Sequence, residues 1–397
     1  MSRDFLLTDA DRAFRAELRE FLGGELTPRA AAIEDHDNWE AVTAAVRALG
    51  DAGYLALMFP EHYSGPLERP GLTHATLLSE EAATISYAFE STIATALSCA
   101  HPLHRHAAPA VRERFLPGLL GGRQVGAICV TEHGAGSDAS GMRTRIELDA
   151  TRDEWVVNGL KRYISNASVA DVYIVYGVSD PTATAGGRLS AVVVPAGTPG
   201  LSFPRRYTFM GRRGCVVGET ELRDCRVPVD HLLGERHRGL PIMVEMFNLE
   251  RILLGGSALG VARSAFDLAC AHAQTREAFG AMLGTKQLIW SRIAEMSWRI
   301  DAAELLTYRA AALYDDGIGG KALAKPAAMA KLVASETATL CADATVQILG
   351  GDGLTKEYGR AEQIYRDARA LPIVGGTSEM ASYLIASADL PTLKPTL

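Results

Sequence analysis

The sequence predicts a mainly α-helical protein with a β domain in the middle of the chain. Apolar residues recur at helical spacing up to about residue 120, β-branched and aromatic residues dominate from about 125 to 232, and long amphipathic segments return after about 235. We therefore expect an N-terminal α-helical domain over 1–124, a middle β domain over 125–233 and a C-terminal α-helical bundle over 234–397.

The N-terminal segment carries helix-start and loop signals. Thr8 or Asp9 can cap a first helix, and residues 76–100 place apolar side chains at helical spacing. Pro60, Pro66 and Pro70 are typical of a loop between helices.

Strands are predicted in the middle segment. Residues 154–165 (EWVVNGLKRYIS) place Asn158-Gly159 between two short β-rich runs, which predicts a hairpin turn. Further strands are predicted in DVYIVYGVS, in RLSAVVVPAG and in ETELRDCRVP, which stops at Pro228.

Composition argues against several classes of function. The formal net charge is −7, and only short Arg pairs such as Arg205-Arg206 and Arg212-Arg213 occur, so we expect no nucleic-acid partner. The N-terminus lacks a signal-peptide core and we find no apolar run approaching the roughly 20 residues that span a bilayer, so we expect a cytoplasmic protein without a membrane partner. The six cysteines are scattered, so neither a zinc site nor a redox motif is predicted.

The first stretch that suggests chemistry is CVTEHGAGSD, residues 129–138. A Gly-x-Gly-Ser segment that leaves a strand can bring backbone N–H groups close to a phosphate or a ring. It is neither a Walker loop nor a dinucleotide fingerprint, because no Gly-Lys-Ser/Thr and no βαβ unit accompany it.

The order of several short motifs is more specific. CVTEHGAGSD, NGLKRYISNASVADVYIV, LRDCRVP, Arg-x-x-Phe-Gly with a downstream Gln, QILGGDG, RDAR and GGTSE follow one another between about residues 127 and 380. In this order the chain resembles the acyl-CoA dehydrogenase family. The resemblance implies an α domain, a small β barrel and a four-helix bundle. It also implies FAD, an acyl-CoA or acyl carrier protein thioester, an electron-transferring flavoprotein or similar acceptor, and a homotetramer built as a dimer of dimers.

The resemblance also assigns residues to the flavin. Thr131 would hydrogen-bond the ring, Tyr163 and Ser165 would lie against it with Ser165 near N5, and Ser137 would lie between cofactor and thioester. A flat ring favours an aromatic wall, and its edge atoms favour neutral donors. The expected cofactor-binding set within one chain comprises Ile128, Val130, Thr131, Gly136, Ser137, Tyr163, Ser165, Thr377 and Glu379.

Two further segments resemble those that reach the FAD of a neighbouring subunit. They contain Arg276, Phe279 and Gln287, and Gln347, Gly350 and Gly351. A guanidinium matches the paired oxygens of a pyrophosphate, and glycines permit close backbone approach. These assignments imply at least a dimer.

The proton-abstracting base is displaced in this sequence. Many family members place a glutamate just before Gly-Thr-Ser, where this chain has Gly375, whose backbone N–H could still donate to the thioester carbonyl. Glu250 lies on the apolar stripe of the helix MVEMFNLERILLGG, whereas Glu245 falls on another face and is expected to be solvated. Burial would raise the pKa of Glu250, and the Glu250-Arg251 pair matches the base position of isovaleryl- and long-chain-type members.

We therefore assign Glu250 as the base, with a structural ion pair as the alternative. Phe247, Arg251, Gly376 and Ser137 complete the expected substrate-binding set.

Departures from the family pattern keep other functions open. Arg212 stands where an aromatic or aliphatic residue is common, and Leu354, Ser382 and Ser387 also depart from frequent residues. They suggest a specialised substrate, with γ,δ-desaturation as an alternative to α,β. A flavin oxidase or monooxygenase of the same fold, and an inactive paralogue with a scaffold role, are the competing functions.

Overall fold

The computed structural model describes residues 7–34, 38–60, 63, 71–183, 185–390 and 392. The predicted mainly α-helical architecture with a central β domain is confirmed. Pro66 and Pro70 of the predicted loop lie outside the described residues.

Helices form the N-terminal part of the chain. Thr8 caps the first of them in a capping box with Asp11, since each side chain binds the other residue's backbone N–H. Ser86 separates two buried helices and caps the second by accepting from the Phe89 N–H. The helices are α1 (Asp9–Glu25), α2 (Ala30–Ile33), α3 (Trp39–Asp51), α4 (Leu72–Ile85), α5 (Tyr87–His106) and α6 (Pro109–Leu120).

A seven-stranded sheet forms the middle of the chain. The strands are β1 (Gly126–Cys129), β2 (Arg145–Asp149), β3 (Glu154–Ser165), β4 (Val172–Val178), β5 (Leu189–Pro195), β6 (Leu201–Ser202) and β7 (Val217–Pro228), with a short helix α7 (Ala185–Arg188) before β5. Hydrogen-bonded neighbours follow the order β1-β4-β2-β3-β7-β6. Strand β5 lies off this path and pairs with β4. Strand β4 is buried along its whole length, as a strand covered on both faces must be.

The hairpin predicted at Asn158-Gly159 is wrong. Residues 154–165 form one strand, β3, whose pairing with β7 shifts register between Val157 and Gly159. The Asn158 side chain accepts from the backbone N–H of Asp224 in β7 at 2.8 Å, so the dipeptide forms a bulge rather than a turn. A Cβ at Gly159 would lie 2.2 Å from Thr144 Oγ1, which explains the glycine by close approach.

The C-terminal part is a helical bundle. It contains α8 (Gly239–Thr275), the short strands β8 (Glu277–Ala278) and β9 (Ala281–Met282), α9 (Gln287–Asp315), α10 (Gly320–Leu349), α11 (Ala361–Ala368) and α12 (Ser378–Asp389). Helix α8 packs against α4, α5, α9 and α10. By length and composition α8 could cross a membrane, but most of its apolar window is buried inside the protein, as in the core helix of a bundle.

Candidate active site

Glu250 and Gly375 meet although 125 positions separate them. Glu250 projects from α8, and Gly375 lies in the turn that precedes α12. A Cβ built on Gly375 would lie 3.9 Å from Glu250 Oε1. A carboxylate on α8 therefore reaches the space that a side chain at position 375 would enter.

Gly375 is required at this position by its backbone and by its neighbour. Its φ is +64°, a conformation that favours glycine, and a Cβ there would lie 2.3 Å from Leu254 Cδ1. Leu254 follows Glu250 by one helical turn. The same face of α8 thus excludes a side chain at position 375 and supplies a carboxylate in its place.

Two cations hold the turn that contains Gly375. The Arg251 Nε donates to the Gly375 carbonyl at 3.3 Å, and the Lys331 Nζ donates to the Gly376 carbonyl at 2.7 Å. Thr377 caps α12 by accepting from the Met380 N–H. The backbone of the turn is therefore fixed from α8, α10 and α12, which leaves the position of Gly375 well defined.

The environment of Glu250 favours the protonated carboxyl more than water does. The side chain is half-buried, and among the described residues it accepts no hydrogen bond and forms no ion pair. Desolvation raises the pKa of Glu250 above its ordinary value. The positive charges of Arg251, Arg212 and Lys331 oppose this shift without cancelling it. Burial likewise lowers the pKa of Lys331 to about 8.

A second set of predicted residues surrounds the end of β1. The backbone N–H of Arg162 donates to the Thr131 carbonyl at 2.8 Å, so the segment after β1 lies against β3. The buried Lys161 reinforces this contact by donating to the Val130 carbonyl and to Glu132 Oε1, each at 2.9 Å. Thr131 is half-buried beside these contacts.

Tyr163 presents an open aromatic face beside this segment. Its side chain is 48% exposed, and its φ is +58° where the register of β3 shifts again, between Lys161 and Ile164. The Tyr207 ring lies 4.9 Å from the Tyr163 ring, and the Arg162 guanidinium lies 4.5 Å from it. An exposed aromatic face on a strained backbone is suited to pack against a flat cofactor.

The remaining residues of the loop are compatible with a flavin. Gly134 and Gly136 face open space, so the backbone after β1 can be approached closely. Ser165 is half-buried two residues beyond Tyr163 on β3. The loop and the ring together offer an aromatic face and neutral polar groups, which are compatible with a flavin ring.

Comparison with known proteins identifies the family. Three family models match in succession: the N-terminal, middle and C-terminal domains of acyl-CoA dehydrogenase, over residues 8–123, 127–225 and 237–389. The chain belongs to the acyl-CoA dehydrogenase family. It is accordingly an oxidoreductase that acts on CH–CH bonds and uses FAD.

Relatives cover almost the whole chain of this acyl-CoA dehydrogenase. The mouse mitochondrial short-chain specific acyl-CoA dehydrogenase is 34% identical over 96% of this chain and 90% of its own length. The glutaryl-CoA dehydrogenase of Desulfococcus multivorans is 31% identical over 98% of this chain and 99% of its own length.

Solved structures give the same result. The butyryl-CoA dehydrogenase of Megasphaera elsdenii superimposes with a TM-score of 0.89 at 30% identity, covering 97% of this chain and 99% of its own. A glutaryl-CoA dehydrogenase in complex with glutaryl-CoA gives a TM-score of 0.91 at 30% identity, covering 98% and 97%.

The residues expected to reach a neighbouring FAD lie on the surface of this acyl-CoA dehydrogenase. Phe279 is 99% exposed, with a φ of +53° in the turn between β8 and β9. A large ring exposed in this way is suited to contact a partner surface. The other members of this set are also exposed, namely Arg276, Gln287, Gln347, Gly350 and Gly351.

The other predicted residues fall into two groups. Phe247 and Gly376 are half-buried near Glu250, and the Arg251 guanidinium lies 5.6 Å from the Phe247 ring. Ile128 and Val130 lie at the end of β1, whereas Ser137 and Glu379 are exposed. A hydrogen bond from Thr377 lowers the pKa of Glu379.

Sequence reasoning missed some of the charged groups in this acyl-CoA dehydrogenase. Lys331 could have been noticed as the lysine within the apolar run AAMAKLVAS of α10. Glu245, which was expected to be solvated, is half-buried and lies 3.0 Å from His106 Nε2. A cavity of about 620 Å³ between α1, α4, α8 and α9 contains none of the predicted site residues.

Proposed function

We propose that Glu250 is the base that removes a proton from the carbon next to the thioester carbonyl of an acyl substrate. The observation that carries this proposal is the adjacency of Glu250 to Gly375, where many family members hold a glutamate. A half-buried carboxylate with a raised pKa and no fixed partner is suited to exchange a proton.

We propose that the turn before α12 binds the thioester carbonyl. Among the described residues the backbone N–H of Gly375 has no acceptor, while its carbonyl accepts from Arg251. A fixed N–H that points at developing negative charge stabilises an enolate-like state. Lys331 would support this donor by holding the Gly376 carbonyl.

The flavin is proposed to bind between the loop after β1 and the face of Tyr163, with Thr131 and Ser165 at the edge of the ring. FAD held by these residues would supply the acceptor for the hydride that leaves the carbon β to the carbonyl. The chain's residues position the two carbons between Glu250 and Ser165, so that one proton and one hydride leave the substrate and a double bond forms.

Short acyl thioesters are the first substrates to test. Relatives 33–35% identical to this chain are named short-chain specific acyl-CoA dehydrogenases. We propose CoA or an acyl carrier protein as the thioester carrier, with specialised metabolism and γ,δ-desaturation as possible refinements of the activity. We also propose an electron-transferring flavoprotein as acceptor, a cytoplasmic location and a dimer of dimers.

An anaerobic titration tests the proposed function. The purified yellow protein is mixed with a panel of saturated acyl thioesters that includes butyryl-CoA and glutaryl-CoA, and absorbance in the flavin band is followed. Loss of the band with formation of an unsaturated thioester supports a dehydrogenase, and product analysis locates the double bond. Retention of the band with every thioester would contradict the proposal, and rapid substrate-dependent peroxide formation in air would indicate an oxidase.

A further inference from the structure

Arg212 is a buried cation in the segment that precedes β7. Its exposure is 6%, and its backbone adopts a φ of +55°. The Arg212 N–H donates to Asp367 Oδ1 at 2.6 Å, which fixes this strained backbone against α11. The backbone from which the Arg212 side chain extends is therefore fixed.

The guanidinium of Arg212 contacts neutral groups only. Its Nη2 donates to the hydroxyl of Ser91, to Ser165 Oγ at 3.2 Å and to Cys215 Sγ at 3.6 Å. It also lies 5.8 Å from the centre of the Tyr87 ring. Nε has no acceptor, and among the described residues Arg212 forms no salt bridge. A buried charge without an ion-pair partner is unfavourable, and a ligand that gains negative charge nearby would compensate for this cost.

The neighbouring carboxyl does not neutralise this charge. Glu90 is fully buried, and among the described residues neither of its oxygens has a hydrogen-bond partner. Burial raises the pKa of Glu90 to about 8, although the hydroxyls of Ser257 and Ser79 oppose the shift without reaching good hydrogen-bond geometry. At neutral pH Glu90 is mainly uncharged. Glu250, the other carboxyl that interacts with the Arg212 charge, also faces the charges of Arg251 and Lys331, so a net positive charge remains beside Ser165.

We propose that Arg212 provides a fixed positive charge at the flavin edge next to Ser165 and thereby raises the reduction potential of the bound flavin. The inference rests on the proposed placement of the ring against Tyr163 and Ser165. Transfer of a hydride brings two electrons and one proton, so the ring gains one negative charge. A cation held in a dry site beside that ring attracts this charge more strongly than a cation in water would.

The midpoint potential of the FAD-loaded protein tests this inference. Anaerobic reduction in equilibrium with a reference dye is measured for the wild type, Arg212→Gln, Arg212→Met, Arg212→Lys and Arg223→Gln. Arg223 is the matched control, because it belongs to the same domain and its side chain is 79% exposed. We expect the two neutral variants to shift the flavin–dye equilibrium at least tenfold towards oxidised flavin, a decrease of about 30 mV.

The charge itself is tested by the conservative variant. Arg212→Lys should keep the potential close to that of the wild type, and Arg223→Gln should not change it. A potential unchanged in Arg212→Gln or Arg212→Met, or an equal decrease in Arg212→Lys, would overturn the inference. Because added dithionite supplies the electrons to both dye and flavin, the measurement remains valid even if no thioester reduces the protein, so its failure is distinct from a failure of the proposed function.

Discussion

Glu80 on α4 and Glu250 on α8 are both carboxylates of the helical interior, but their surroundings differ. Glu80 forms ion pairs with Arg15 and with Arg263, the latter at 2.6 Å, and it accepts from the Tyr308 hydroxyl. Glu250 has no such partner among the described residues. The difference separates a carboxylate that joins helices together from one whose lone pairs stay available to a substrate.

The largest expected effect is on stability, and it falls on Glu80. Glu80→Ala removes one ion pair from Arg15 and one from Arg263, together with the acceptor of the Tyr308 hydroxyl. Arg15 keeps Glu81 and Arg263 keeps Glu304, so we expect the free energy of unfolding to fall by about 3 kcal/mol. Glu250→Gln removes no partner and should not reduce stability. Urea unfolding of both FAD-loaded variants measures this, and a similar loss in each would remove the distinction between the two sites.

Glu90 is a third buried carboxyl, and it shows the effect of burial on a carboxyl without an ion pair. Its pKa of about 8 in the folded protein lies above the ordinary value of 4.5, so ionisation disfavours the folded state and stability is lost as pH rises through that interval. Glu90→Gln should remove this loss, and its stability relative to wild type should increase by about 2–4 kcal/mol between pH 5 and pH 8.5. Thermal unfolding at both pH values, with the exposed Glu113→Gln as control, checks the prediction. A pH-independent difference would contradict it.

Substitution of Gly375 tests how tightly this glycine packs against the face of α8 that carries Glu250 and Leu254. Gly375→Ala introduces a Cβ 2.3 Å from Leu254 Cδ1 at a φ of +64°, so we expect a cost of about 1–3 kcal/mol and slower reduction of the flavin. The double variant with Leu254→Ala should lose less stability than the sum of the two single changes. Gly24→Ala, where a Cβ meets open space, is the control for both measurements. Strict additivity would mean that Leu254 does not oppose a side chain at 375.

A smaller effect is expected at Lys331. Lys331→Met removes the donor to the Gly376 carbonyl, so the turn that carries the Gly375 N–H is held less firmly. We expect kcat/KM to fall about tenfold, which corresponds to about 1.4 kcal/mol. Lys325→Met is the matched control, since this lysine of the same helix pairs with the exposed Asp389. Equal effects of the two substitutions would show that Lys331 does not support the turn.

The sequence predicted much of this architecture, and for a physical reason. Hydrophobic periodicity reports directly on which face of a helix is buried, so the long bundle helices and the unusual position of Glu250 could be recognised without coordinates. The Thr8 cap was also predictable, because the capping residues lie within four positions of one another.

The failures involve contacts between distant segments. Asn158-Gly159 has the local chemistry of a turn, but pairing with β7 and the close approach of Thr144 make it a bulge. The contact of Lys331 is also long-range, since the Gly376 carbonyl that it binds lies 45 positions away in the sequence. The burial of Arg212 likewise depends on α5, β3 and α11, which no local pattern reveals.

The central claim is that Glu250 accepts the substrate proton, and rapid anaerobic mixing tests it most directly. The rate of flavin reduction is measured for wild type, Glu250→Gln and Glu245→Gln, with the thioester that reduces the wild type fastest. Glu245 is the matched control, since it lies on the same helix and is already paired with His106. We predict that Glu250→Gln keeps its FAD but is reduced about 10²–10⁴-fold more slowly, while Glu245→Gln stays close to wild type. Reduction of Glu250→Gln at the wild-type rate would contradict the account.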